Sequence, residues 1–178
     1  MAVTVRAIPD DEATVALLAV VRVLMDDAFA GDFSDDDWDH TFGGTRVVVE
    51  ENGTVVAHAA VVARVLEIGG RPFRAGYVEG VATAPGCQRR GLGSAVMREV
   101  ALMLEREHEI GALSTDAQPF YERLGWERWR GPTFARGAAG VARTEEEDDG
   151  VMVLRFGPSA GVDLTAAIVC EARQGDDW

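Results

Sequence analysis

Apolar and polar positions alternate over Val3–Ala7, which predicts a first strand. From about Asp10 to Ala30 the period changes. Val15, Leu18, Val21, Leu24, Met25 and Phe29 recur at helical spacing, behind an acidic start that complements a helix dipole. Gly31 breaks that helix. Ser34, followed by Asp35, Asp36 and Asp37, reads as the N-cap of a short acidic helix that Gly43-Gly44 ends. The β-branched run Thr45–Glu50, the pair Asn52-Gly53 and the long run Thr54–Leu66 predict two strands joined by a type I′ hairpin. Gly69-Gly70 turns the chain again, and Phe73–Thr83 returns as a strand. A helix is expected from the glycine-rich Gln88–Ser94 to about His108, then a strand at Ala112–Ser114 and a helix opened by Pro119. Trp126–Trp129, Val151–Phe156 and Ala166–Glu171 predict further strands, and Gly131 to Gly150 reads as an irregular loop. This order gives an α/β (α+β) fold, a mixed sheet flanked by helices, in one domain over residues 1–178.

Composition narrows the function. At 47% apolar residues the chain can fill one packed core, and no apolar run approaches the ~20 residues of a membrane span. The opening MAVTVRAIPDDEA does not read as a signal peptide, so none is expected. Two distant cysteines, Cys87 and Cys170, fit neither a disulfide scaffold nor a metal site, so a reducing cytoplasm is expected. The net charge of −13 disfavours nucleic acid. The acids are clumped: Asp26–Asp39, Glu145–Asp149 and Glu171–Asp177 hold half of all the Asp and Glu. Such clusters are either solvated loops or a cleft that attracts a cationic ligand.

The most informative run is strand, Ala84-Pro85-Gly86-Cys87, Gln88-Arg89-Arg90-Gly91-Leu92-Gly93, helix. Glycines at a strand-to-helix turn let backbone N–H groups approach a ligand, and the helix N-terminus favours a pyrophosphate. The spacing matches neither the dinucleotide fingerprint nor the P-loop. His40 reads as a helix-packing or capping residue and His58 as a satisfied sheet residue. No serine or cysteine accompanies either in a triad pattern, so hydrolase chemistry is not supported.

Gln-x-x-Gly-x-Gly after a long strand resembles the acetyl-CoA signature of the GNAT N-acetyltransferases. Phe120-Tyr121-Glu122-Arg123-Leu124-Gly125-Trp126 resembles their second signature. Over nearly the whole chain, stretches such as Ala28–Phe33, Asp37–Thr41, Ala57–Ala60, Gly76–Val81 and Gly175–Trp178 are similar to the aminoglycoside 2′-N-acetyltransferases. The resemblance implies a sheet splayed at the strand Val81-Ala82-Thr83, where the Val81 N–H polarises the thioester of acetyl-CoA. It implies a pyrophosphate cradle at Gln88, Arg89, Arg90, Gly91, Leu92, Gly93 and Ser94. Glu79 would take the proton from the substrate ammonium, and Tyr121 would donate one to the departing thiolate. Asp32, Asp37, Glu79, Gly80, Ser114, Asp148, Asp149, Asp176 and the terminal carboxylate of Trp178 would face a polycationic aminoglycoside. Asp35, Asp36, Glu145–Glu147 and Asp177 remain as steering charge. A homodimer is implied. Two other readings keep the fold: acetyl transfer to an endogenous amine, such as a cell-wall amino sugar or a polyamine, and a non-catalytic acetyl-CoA-binding module.

Overall fold

The computed structural model describes residues 2–178. Its strands are β1 (Val3–Pro9), β2 (Thr45–Glu51), β3 (Thr54–Ile68), β4 (Arg71–Thr83), β5 (Ile110–Ser114), β6 (Glu127–Arg128), β7 (Thr133–Gly137), β8 (Gly140–Arg143), β9 (Val151–Arg155) and β10 (Ile168–Glu171). Its helices are α1 (Val15–Ala28), α2 (Asp35–His40), α3 (Leu92–Glu107) and α4 (Gln118–Glu122). Contacts divide the chain into two compact units. The first holds the chain up to Val62 together with Val78–Leu102; the second holds Ala63–Tyr77 and Met103–Trp178.

In the first unit β1 pairs antiparallel with β2, and β2 with β3. Asn52 and Gly53 have φ of 51° and 83°, the left-handed pair that a type I′ hairpin requires. Below this sheet α1 buries Val21, Leu24 and Met25 against Ile8, Phe33, Val48 and Ala82. Each of these side chains other than that of Ala82 contributes about 1.5–3 kcal/mol by leaving water. The ends of the predicted apolar stripe, Val15 and Phe29, stay exposed.

The second unit orders its strands β6-β9-β5-β4-β3-β10-β7-β8. β4 with β5 and β10 with β7 are parallel; β3 with β10, β5 with β9, β6 with β9 and β7 with β8 are antiparallel. The β4–β5 ladder covers only Ala75–Tyr77 against Ile110–Ala112, while β4 runs on to Thr83. Gly76 admits the Leu104 side chain of α3 directly onto the β4 backbone; a Cβ there would overlap Leu104 Cδ2.

Two sequence expectations are corrected. The first helix begins at Val15, not Asp10. Thr14 caps it by accepting from the Leu17 N–H at 3.2 Å, and Asp10–Glu12 form a separate 3₁₀ turn. The reason is competition for the Asp10 carboxylate. It pairs with Arg46 at 2.9 Å and accepts the amides of Gly43 and Gly44 at 2.5 and 3.2 Å, which holds the turn away from the helix axis. The stretch from Gly131 to Gly150 is not irregular: β7 and β8 form a hairpin inside it. All four residues of β8 are exposed, so no apolar alternation marks the strand in the sequence.

Candidate active site

In the first unit β4 carries Glu79, Gly80 and Val81, all half-buried, ahead of the buried Ala82. Gly80 has a φ of +56° inside the strand, a left-handed geometry that glycine adopts without a Cβ penalty. Its carbonyl lies 2.8 Å from Nδ1 of His58 on β3. His58 is fully buried, and its Nε2 lies 3.4 Å from Nη1 of Arg46 on β2. Arg46 is also fully buried. Its Nη1 donates to Thr41 Oγ1 at 3.1 Å, its guanidinium lies over the Trp38 and Phe42 rings, and Asp10 balances its charge. Burial, with Arg46 adding to it, pushes the His58 imidazole down to about 4, so the ring is neutral at ordinary pH. His58 is the satisfied sheet residue that its mid-strand position predicts.

After β4 the chain passes through a 3₁₀ turn at Pro85–Cys87 and reaches the glycine segment. Arg89 and Gly91 have φ of 60° and 81°. The first helical bond of α3 runs from the Ala95 N–H to the Gly91 carbonyl at 3.0 Å. The amides of Leu92, Gly93 and Ser94 precede that ladder and are the donors that a helix N-terminus offers to an anion. Arg90 forks onto Glu51 at 2.5 and 3.1 Å, which raises the pKa of Arg90 and ties the loop to β2. Gln88 reaches back toward the Thr83 carbonyl at 3.5 Å.

The acidic segment of this unit divides by duty. Asp37 closes a capping box, its Oδ2 accepting from Ser34 N and Oγ at 2.9 and 2.8 Å. Asp26 and Asp35 both pair with Arg22 at 3.1 Å. Asp32 stands exposed in the turn between α1 and α2.

In the second unit Tyr121 lies on α4, 6% exposed, edge-on to the Phe120 and Trp126 rings. Burial raises its phenol to about 12 against a hydrogen bond with Thr115, so it is protonated at neutral pH. Ser114, at the end of β5, donates its hydroxyl to Glu147 Oε2 at 3.1 Å. Glu147 is half-buried, and burial followed by the nearby Asp176 holds its carboxyl above the usual range. Asp148 has another task. Both its oxygens meet Arg143, and Oδ1 also accepts Thr133 N and Oγ1 at 3.0 and 2.9 Å. The Arg143 bonds bring its carboxyl down to about 2. Asp149 is exposed, and its carbonyl accepts from Gln118. Trp178 is 3% exposed. Its indole donates to Thr144 Oγ1 at 3.1 Å and its backbone N–H to Asp176 Oδ1 at 3.1 Å. Asp177 pins the tail instead of steering: its carboxylate accepts the Arg173 N–H, and its carbonyl accepts from Arg64 at 2.8 Å.

A left-handed glycine inside β4 is followed by a glycine turn that leads into the N-terminus of α3. The acetyltransferase (GNAT) domain family matches residues 11–129. The chain belongs to the GNAT acetyltransferases. Among curated relatives, the aminoglycoside 2′-N-acetyltransferase of Mycolicibacterium fortuitum is 44% identical over 161 residues, covering 88% of this chain and 83% of that one. The Escherichia coli GNAT protein YhbS, solved with CoA, superposes with a TM-score of 0.67 at 14% identity, covering 94% of this chain and 89% of that one. A probable N-acyltransferase from Enterococcus faecalis gives a TM-score of 0.61 at 16% identity, covering 72% of this chain. This chain spans only 33% of that longer protein. The two structural likenesses establish the GNAT fold.

Two features of this GNAT chain escaped the sequence. Glu147 lay inside a run of five acids with nothing to distinguish it; only the fold brings it to Ser114. Arg46 could have been found, because it shares a face with Val48 at the head of the apolar run Val47–Val49, a position that demands a buried partner.

Proposed function

We propose that this GNAT acyltransferase moves acetyl from acetyl-CoA to the 2′-amine of aminoglycoside antibiotics and so confers resistance to them. The observation that carries the reading is the 44% identity across 88% of the chain with an enzyme of that name. The net charge of −13, with half the acids in three short stretches of sequence, supports it for a substrate bearing several ammonium groups. In this reading both units form one catalytic domain. The amides of Gly91, Leu92, Gly93 and Ser94 receive the pyrophosphate, with Gln88 and Arg89 beside them. Glu79 accepts a proton from the 2′-ammonium, directly or through water. The freed amine attacks the thioester carbon, whose oxygen takes a hydrogen bond from the Val81 N–H; Ala82 and Thr83 flank it. The C–N bond forms, the C–S bond breaks, and the CoA sulfur leaves as a thiolate. Tyr121, held protonated by burial with a phenol at about 12, stands as the donor to the departing thiolate. It hydrogen-bonds the departing sulfur, and the proton shed by the amine ends on CoA.

Asp32, Asp149, Asp176 and the carboxylate of Trp178 face the remaining ammonium groups, with Ser114, the Gly80 backbone and the second oxygen of Asp37. Glu147 joins them, while Asp148 holds the loop. A homodimer in a reducing cytoplasm completes the reading; both cysteines are free. Among the described residues no helix is long and apolar enough to cross a membrane. The test is product chemistry. Tobramycin, which carries a 2′-amine, should gain one acetyl at that nitrogen by NMR, and kanamycin A, with a 2′-hydroxyl, should be a poor acceptor. Acetylation at a 3- or 6′-amine, or transfer only to a polyamine, would overturn the assignment.

A further inference from the structure

The first unit contains a buried polar chain that the transfer chemistry does not touch. It runs from Asp10 to Arg46 to His58 to the Gly80 carbonyl, with separations of 2.9, 3.4 and 2.8 Å. Buried polar groups of this kind are costly unless each has a task. The chemistry of the ends fixes the middle. A guanidinium can only donate, so Nε2 of His58 must accept from Arg46. The ring proton therefore sits on Nδ1 and donates to the Gly80 oxygen. That oxygen belongs to the same peptide group as the Val81 N–H. The peptide is planar, so fixing the carbonyl fixes the direction of the N–H on its opposite side. Donation into the carbonyl also draws charge from the amide and strengthens that N–H as a donor. Glycine at φ +56° supplies no side chain to hold this plane, and a Cβ built on it would approach Thr41 Cγ2 at 3.0 Å.

We propose that His58, held in one tautomer by Arg46, is a positioning residue that orients and polarises the Gly80–Val81 peptide and thereby sharpens the Val81 N–H for the thioester carbonyl. This rests on the reading of Val81 as the thioester donor. The closing experiment separates the two. An asparagine amide reaches the place of Nδ1, whereas a glutamine amide reaches that of Nε2. His58→Asn therefore keeps the bond to Gly80, and His58→Gln loses it.

In the full-length protein, ¹⁵N spectra should show the His58 ring protonated on Nδ1 and bare on Nε2. His58→Gln should shift the Val81 amide resonance and lower kcat for tobramycin about 10-fold with KM for acetyl-CoA unchanged, a part of the 10²–10³ that loss of such a donor costs. His58→Asn should keep the Val81 resonance and stay within about 3-fold of the wild-type kcat. A wild-type ring protonated on Nε2, or a Val81 resonance unmoved by His58→Gln, overturns the relay; the tautomer measurement needs no variant to fold. A shifted Val81 resonance with unchanged kcat overturns its role in catalysis. A wild-type enzyme that acetylates no 2′-amine fails the acceptor assignment alone, and the two spectra still judge the relay.

Discussion

His58 makes the stability of the fold depend on pH. In the unfolded chain its imidazole titrates near 6.5; in the folded protein it is held to about 4 by burial, with a smaller push from Arg46. Between those values the unfolded state binds the extra proton, so lowering the pH favours unfolding. Protonation would also turn Nε2 into a donor aimed at the Arg46 donors. One pKa unit is worth about 1.4 kcal/mol, so at about pH 5 the linkage removes about 2 kcal/mol that is present above pH ~7. For a chain of this size that lowers Tm by about 4–8 °C. His58→Asn keeps the Gly80 bond and cannot titrate. Thermal unfolding of both proteins from about pH 7.5 to about pH 5 isolates the term, because other groups are common to both. Among them the raised carboxyl of Glu147 acts in the opposite direction, and the lowered carboxyl of Asp148 acts below pH ~4. The wild type should lose the additional 4–8 °C. Parallel curves for the two proteins would refute the buried neutral imidazole and the hydrogen-bond chain argued from it.

Two further outcomes are expected. Tyr121→Phe should lower kcat by about 10- to 100-fold with little change in KM for either substrate, since it removes one hydrogen bond to a charged leaving group; rapid-quench acetyl transfer measures it. Asp148→Asn should lower stability by about 1–2 kcal/mol in urea unfolding, because it weakens the bonds to Arg143 and Thr133, while Glu147→Gln should chiefly raise KM for tobramycin; the reverse pattern would exchange their assigned roles.

The strand-and-turn frame was legible where local chemistry decides. Asn52-Gly53 and Gly69-Gly70 carry their left-handed φ values in their identity, and Ser34 with Asp37 forms the cap that its spacing predicts. The glycine turn after β4 was legible for the same reason. What stayed hidden depends on partners far along the chain. Asp10 leaves the first helix because Arg46 and the Gly43-Gly44 amides claim it. β8 is held by β7 with no apolar face of its own. The five-acid run divides into a carboxylate beside Ser114 and another locked to Arg143 only once the hairpin between them exists.

The close seating of Leu104 on Gly76 has a genetic consequence. Every single-nucleotide change that replaces glycine installs a Cβ, and any Cβ at this position overlaps Leu104. Variants that arise there in one step must displace the Leu104 side chain before they can alter the chemistry. The exposed carboxylates at Asp32 and Asp149 meet no such overlap. Under antibiotic selection, changes in the range of acceptors should therefore accumulate in the acidic loops, while the glycine codon of β4 stays as it is.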